Sequence, residues 1–149
     1  MSAALCPADE YLKIGAWNIQ NLGDRRLGQF PAALAEHLLL ASVDILALSE
    51  IWDTDGDPER MTNNKLDETF ERVNKSPAHD WTYVLFPKRD PEEVRQHLGV
   101  AWNRRRVEMV GEPLRIPVEY VNAETWKRTP YAVKFRMRVG SSDFVLIPL

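Results

Sequence analysis

Cysteine is almost missing from this chain. Cys6 stands alone among 149 residues, so no internal disulfide can form and a four-cysteine zinc cluster is excluded. A reducing compartment suits such a chain. Surplus positive charge is missing as well: the formal net charge is -3 and the pI lies near 5.6. No general basic field would draw in nucleic acid, and a phosphate-bearing substrate would need local cations or a bound metal. No apolar run reaches membrane-spanning length, and MSAALCPADEYL has neither the basic start nor the apolar stretch of a signal peptide. The expectation is therefore a cytoplasmic protein. Repeats and low-complexity segments are also lacking, and 44% hydrophobic with 28% charged residues is the make-up of one globular domain of ordinary size.

What is present is an alternation of apolar runs with polar punctuation. Leu12 to Ile19 reads as a strand covered on both sides, with Ile14, Ala16 and Asn18 on one face and Trp17 and Ile19 on the other. Residues 20 to 28 read as a loop. Pro31 suits the first turn of a helix from Gln29 to about Leu40, whose stripe is Phe30, Leu34 and Leu38. VDILALSEI, residues 43 to 51, predicts a second strand buried on both faces until Glu50. A helix is expected from about Glu59 to Val73, and a third strand over Trp81 to Phe86.

Leu98 to Trp102 and Val107 to Val110 read as a hairpin joined by Arg104, Arg105 and Arg106. Residues 111 to 129 predict a loop with at most one short strand. Tyr131 to Val139 alternates as a half-exposed strand, GSSD turns the chain, and Asp143 to Leu149 returns. The class is α+β, with a mixed or antiparallel sheet rather than a strict βαβα series.

Asn18 and Glu50 end the first two strands, where rigid backbone supports a side chain that can still reach a cleft. A carboxylate beside a carboxamide oxygen is a hard-oxygen pair suited to Mg²⁺ or Mn²⁺, not to zinc. Each residue also has a plain reading, Asn18 as a turn residue and Glu50 as the first solvated position after an apolar run. Spacing alone leaves both open. His37, His79 and His97 read as helix-face, loop and loop residues. The tripeptide at Arg104 reads as a solvated turn in preference to a guide for a DNA backbone. Trp52, Trp102 and Trp126 read as core in preference to a binding rim.

LKIGAWNIQNLG followed by DILALSEIWD resembles the first two motifs of the endonuclease/exonuclease/phosphatase superfamily, the DNase I-like fold. GVAWNRRRVEMV and RTPYAVKFRMRVGSSDFVLIPL are similar to its later strands, the second carrying an Arg-x-Pro segment. The resemblance implies a two-sheet β-sandwich flanked by helices and a divalent-metal-dependent phosphoesterase, here represented by its first half. It implies that Glu50 ligates Mg²⁺ or Mn²⁺ and that Asn18 positions the metal or the scissile phosphate. Arg128, the arginine of Arg-x-Pro, would contact a phosphate oxygen. Ser49 stands where the family usually has Gln, and Trp52 where DNase-like members often have Arg.

The family's catalytic His and its further Asp motifs fall in a second half, which would begin just past Leu149. Residues 1–149 are therefore expected to form a single, incomplete domain, inactive alone, whose gene continues with a His within a few residues. The expected substrate is a phosphodiester, most simply nucleic acid, and the expected partner is the missing C-terminal half or another chain. Two alternatives stay open: a phosphomonoesterase or a phospholipid or inositol-phosphate hydrolase of the same superfamily, and a catalytically dead half-domain serving as a binding module.

Overall fold

The computed structural model describes residues 11–57, 60–87, 96–117 and 129–149. Two sheets stack face to face, and two helices cover the outer face of the first. That sheet has the order β1-β2-β4-β3, from β1 (Ile14–Leu22), β2 (Ile45–Trp52), β3 (Trp81–Leu85) and β4 (Gln96–Asn103). β1 and β2 are parallel, which requires a crossover, and α1 (Pro31–Ala41) supplies it. β4 runs antiparallel to both β2 and β3.

The second sheet is antiparallel throughout. Its long strand β7 (Tyr131–Met137) is paired by β5 (Val107–Met109) and β6 (Leu114–Arg115), and by β8 (Asp143–Leu146). This is the α+β sandwich with outer helices that the sequence implies.

Burial on both faces of the first sheet produces two cores. On the helix side, Ile19, Leu48 and Ile51 meet Leu38 of α1 and Leu66, Phe70 and Val73 of α2 (Asn64–Val73). Between the sheets, Ile45, Val100 and Trp102 meet Val107, Val133 and Phe135. Full burial of one such side chain is worth about 1.5–3 kcal/mol, so these layers hold the strand ends fixed. β4 is buried along nearly its whole length because it has a strand on either side and a layer on either face.

Several expectations are corrected. β1 does not end at Ile19 but continues to Leu22, through residues whose amides read as loop. Its Ile14, Ala16 and Asn18 face is exposed: β1 is an edge strand, and among the described residues no layer lies over that face. Phe30 is 71% exposed and only precedes α1, whose buried residues are Ala35 and Leu38. α2 starts at Asn64, not near Glu59, because Asn63 caps it.

The largest correction concerns Arg104 to Arg106. They do not join a hairpin: β4 belongs to the first sheet and β5 pairs with β7 in the second, so the turn carries the chain from one sheet to the other. Ion pairs fix that corner, Arg104 to Asp80 at 2.6 Å and Arg106 to Asp44 at 3.2 Å. Trp126 lies outside the described residues. Among the described residues no helix is long and apolar enough to cross a membrane.

Candidate active site

Asn18 and Glu50 come together where β1 and β2 lose register. The strands pair evenly from Ile14↔Ile45 to Asn18↔Ser49, then β1 advances to Leu22 while β2 advances only to Ile51. On its other side β2 slips against β4 between Leu48 and Ile51. A bulge of this kind re-aims a side chain, and Glu50 sits in both. Its backbone is left-handed, with φ 63°. For a residue bearing a Cβ that conformation costs about 1–2 kcal/mol, so the surrounding packing must hold it.

The result is a direct contact. Asn18 Nδ2 donates to Glu50 Oε1 at 3.1 Å. Asn18 is exposed and Glu50 half-buried, so the pair faces solvent with β1 and β2 behind it. No described residue bonds to Asn18 Oδ1 or Glu50 Oε2, which leaves one hard oxygen atom on each residue without a described partner. That donor set fits a Mg²⁺ or Mn²⁺ ion, which commonly takes one or two protein oxygens and completes its shell with water and phosphate. Among the described residues no group of three or more His, Cys, Asp or Glu side chains stands ready for a metal.

The neighbouring amides are braces. Asn21, also left-handed at φ 49°, accepts from Trp52 Nε1 at 3.3 Å and from Gln96 Nε2 through the same Oδ1. It therefore ties the end of β1 to the end of β2 and the start of β4. Asn63 is fully buried. Its Nδ2 donates to Leu22 O at 2.9 Å and Trp52 O at 2.8 Å, while its Oδ1 accepts from the N–H groups of Lys65 and Leu66 at the start of α2.

The loop after β1 is closed the same way, by Asp24 gripping Arg26 (2.7 Å) and by Lys65 Nζ donating to Leu27 O (3.0 Å). The hydrogen bond from Arg26 to Asp24, with their charge attraction, raises the guanidinium pKa further above its ordinary value.

Arg128 lies outside the described residues. Of the histidines, His37 is on the exposed face of α1 and His79 is in the turn before β3. His97 is not in a loop but in β4, 7% exposed, with Nδ1 2.9 Å from Phe86 O. Trp102 is in the core between the sheets and Trp52 is half-buried and spent on Asn21. Asn21, Gln96 and Asn63 were missed as supports of this site. Only Asn63 had a local signal, a capping amide directly before an amphipathic run.

No family model matches the chain. Deoxyribonuclease-1-like 2 of Mus musculus is 25% identical over 140 residues, covering 93% of this chain and 46% of that protein. A deoxyribonuclease of Thioalkalivibrio sp. (strain K90mix) is 25% identical over 134 residues, covering 90% and 33%. Among solved structures, an endonuclease/exonuclease/phosphatase family protein from Bacteroides thetaiotaomicron superposes with TM-score 0.58 at 13% identity, over 91% of this chain and 49% of its own. The chain thus spans about half the length, or less, of the relatives it matches. Its fold is the DNase I-like fold of the endonuclease/exonuclease/phosphatase superfamily, as the resemblance of its segments implied.

Proposed function

We propose that this chain is the first half of a divalent-metal-dependent phosphodiesterase, a nuclease, and that Glu50 and Asn18 form the metal- and phosphate-binding corner of its active site. The observation that carries this reading is the contact of Asn18 with a Glu50 held in a left-handed, double-bulge conformation. Strain of this sort persists only where the surrounding structure holds it, and it clusters at sites where a side chain must be aimed.

Glu50 and Asn18 would hold the ion, which when bound supplies Lewis-acid polarisation of a phosphoryl oxygen and offsets charge at phosphorus. The residues of the chain do the positioning. Asn18 fixes one Glu50 oxygen through its N–H and keeps its own oxygen free. Arg128 would offer forked N–H donors to the same phosphate. No general base is assigned to this chain, and proton transfer would fall to a second half, so the 149 residues alone would turn over little substrate. Coverage of 46% and 33% of the two relatives supports that division, and both being deoxyribonucleases supports DNA as the substrate.

The test is to express the protein at the length of these relatives and assay it with Mg²⁺ on plasmid DNA, an inositol phosphate and a phospholipid. DNA cleavage that falls at least about a hundredfold in Glu50→Gln and is reduced in Asn18→Ala supports the reading. Unchanged cleavage in Glu50→Gln overturns the site. Hydrolysis of the inositol phosphate or the phospholipid in place of DNA overturns the substrate class. A coding sequence that stops at Leu149 overturns the division into halves.

A further inference from the structure

We propose that the free edge of β3 is a docking site for an extended peptide of another protein, one in which apolar residues flank a lysine. β3 is the last strand of its sheet, with β4 on one side and, among the described residues, no strand on the other. Phe86 N–H donates to Leu98 O and Arg104 N–H to Asp80 O, each at 2.8 Å, so the even-numbered positions turn their peptide groups toward β4. The odd-numbered ones turn outward.

A side chain already closes the first outward position. Trp81 N–H donates to Asn74 Oδ1 at 2.7 Å, and Asn74 Nδ2 donates to Trp81 O at 3.0 Å. The Asn74 carboxamide stands where the peptide group of a neighbouring strand would. Tyr83 and Leu85 follow on the same edge, and among the described residues nothing bonds to their outward peptide groups. Unpaired N–H and C=O groups along an edge are a template for one more strand.

The edge is recessed in a cleft of about 550 Å³ that runs along residues 82–87. At about 3.3 Å per residue that stretch measures roughly 20 Å, room for an extended segment of about five residues. Met61 and Asp67 form its rim on the helix side, and Glu112 and Pro113 its rim on the side of the second sheet. Tyr131 holds the far end, stacked on Phe86 with ring centroids 4.8 Å apart and donating to Pro87 O at 3.3 Å.

The rims decide between occupants. The β3 edge of a second copy would arrive with its own helix and sheet layers, and those would meet the rims before the strands could pair. A free extended segment carries no such layers.

Its side-chain pattern follows from β3. Tyr83 and Leu85 face the core beneath the helices, and Val84 faces the core between the sheets. A residue of an added strand shares the face of the residue it opposes. Those opposite Tyr83 and Leu85 turn toward Met61, which favours apolar side chains. The residue opposite Val84 turns toward Glu112, which is exposed and has no partner among the described residues. A lysine there can lay its stem along the cleft and bring its charge to that carboxylate.

The probe is acetyl-Thr-Val-Lys-Val-Thr-amide, titrated into the intact protein while hydrogen exchange is followed residue by residue by NMR. One control peptide has glutamate for lysine, and a second has both valines N-methylated, which removes the donors that would reach Tyr83 O and Leu85 O. Expected is saturable binding, half-complete on the order of 0.1 mM, with exchange of the Tyr83 and Leu85 N–H groups slowed about tenfold or more. The N-methylated peptide should bind about tenfold more weakly. The glutamate peptide should be several-fold weaker than the lysine peptide, and Glu112→Lys, a change on the exposed rim, should reverse that order. Equal binding of the N-methylated peptide, or a lysine preference that survives Glu112→Lys, overturns the proposal. So does exchange at Tyr83 and Leu85 that a saturating peptide leaves unchanged. Protection of those two groups without peptide, in a dimer by a second copy or in the monomer by the chain itself, overturns it as well. No arm of the experiment involves Asn18, Glu50 or a phosphate.

Discussion

Gly23 and Asn63 lie so close that a Cβ on Gly23 would stand 2.7 Å from Asn63 Nδ2, with Thr54 Cγ2 at 2.8 Å and φ at +102°. Asn63 cannot yield, because that same nitrogen holds Leu22 O and Trp52 O. Gly23→Ala should therefore lower stability by about 2–3 kcal/mol, combining backbone strain with the displaced amide. Gly111→Ala isolates the strain: φ there is +74° with nothing within 4 Å, and about 1 kcal/mol is expected. Urea unfolding of the two variants checks the difference, and equal losses would show that the Asn63 contact does not matter.

Asn21 supplies one oxygen to two donors, Trp52 Nε1 and Gln96 Nε2. Removing it in Asn21→Ala leaves both without that acceptor and should cost about 1–3 kcal/mol, again read from the urea midpoint. Asn21→Asp keeps the oxygen and tolerates left-handed backbone, so its loss should be much smaller. The reverse order would mean that the amide nitrogen, not the oxygen, carries the brace.

Glu50 trades stability for aim. Glu50→Gly relieves the left-handed strain that Glu50→Ala retains, and should be the more stable of the two by about 1 kcal/mol. Both remove the carboxylate, so both should lose any Mg²⁺ binding seen by calorimetry in the intact protein. If Glu50→Ala is as stable as Glu50→Gly, the strained backbone carries no cost.

Tyr83 should make the fold sensitive to alkali. Burial raises its pKa well above the ordinary 10.0; the Asn63 N–H bonded to its oxygen offsets part of this, and its own bond to Asp67 Oδ1, at 2.7 Å, adds to the rise. The folded phenol thus holds its proton more tightly than the unfolded one. Its stabilising contribution is complete below pH 10 and is lost as pH climbs from there through the folded value. Burial raises Tyr131 as well, so absorbance at 295 nm should show tyrosine ionising above the ordinary range, its highest step removed by Tyr83→Phe, which should also flatten the alkaline decline in melting temperature.

The first two strands and the helix between them were legible because Leu12 to Ile19, the stripe through Leu34 and Leu38, and VDILALSEI each carry their period locally, whereas the parallel pairing of those strands and the exposed face of the first were not. The hairpin assigned across Arg104 to Arg106 failed for a related reason. Two apolar runs beside a short basic turn look alike whether they pair or part, and only the competing partners, β3 and β7, decide. Asn18 and Glu50 were legible as strand ends, whereas Asn21 and Gln96, 75 positions apart, gave no sign that they would meet.

By itself, the sequence determined which segments must be buried and that a hard-oxygen pair ends two of them, because hydrophobic period and side-chain chemistry are local properties. The tertiary structure alone decided that Asn18 touches Glu50, that Glu50 adopts a backbone its own side chain disfavours, and that Asn21 braces three strand ends at once. Those facts come from strand register and from layers closing on one another. Register depends on contacts between residues far apart in the chain, which no local pattern records.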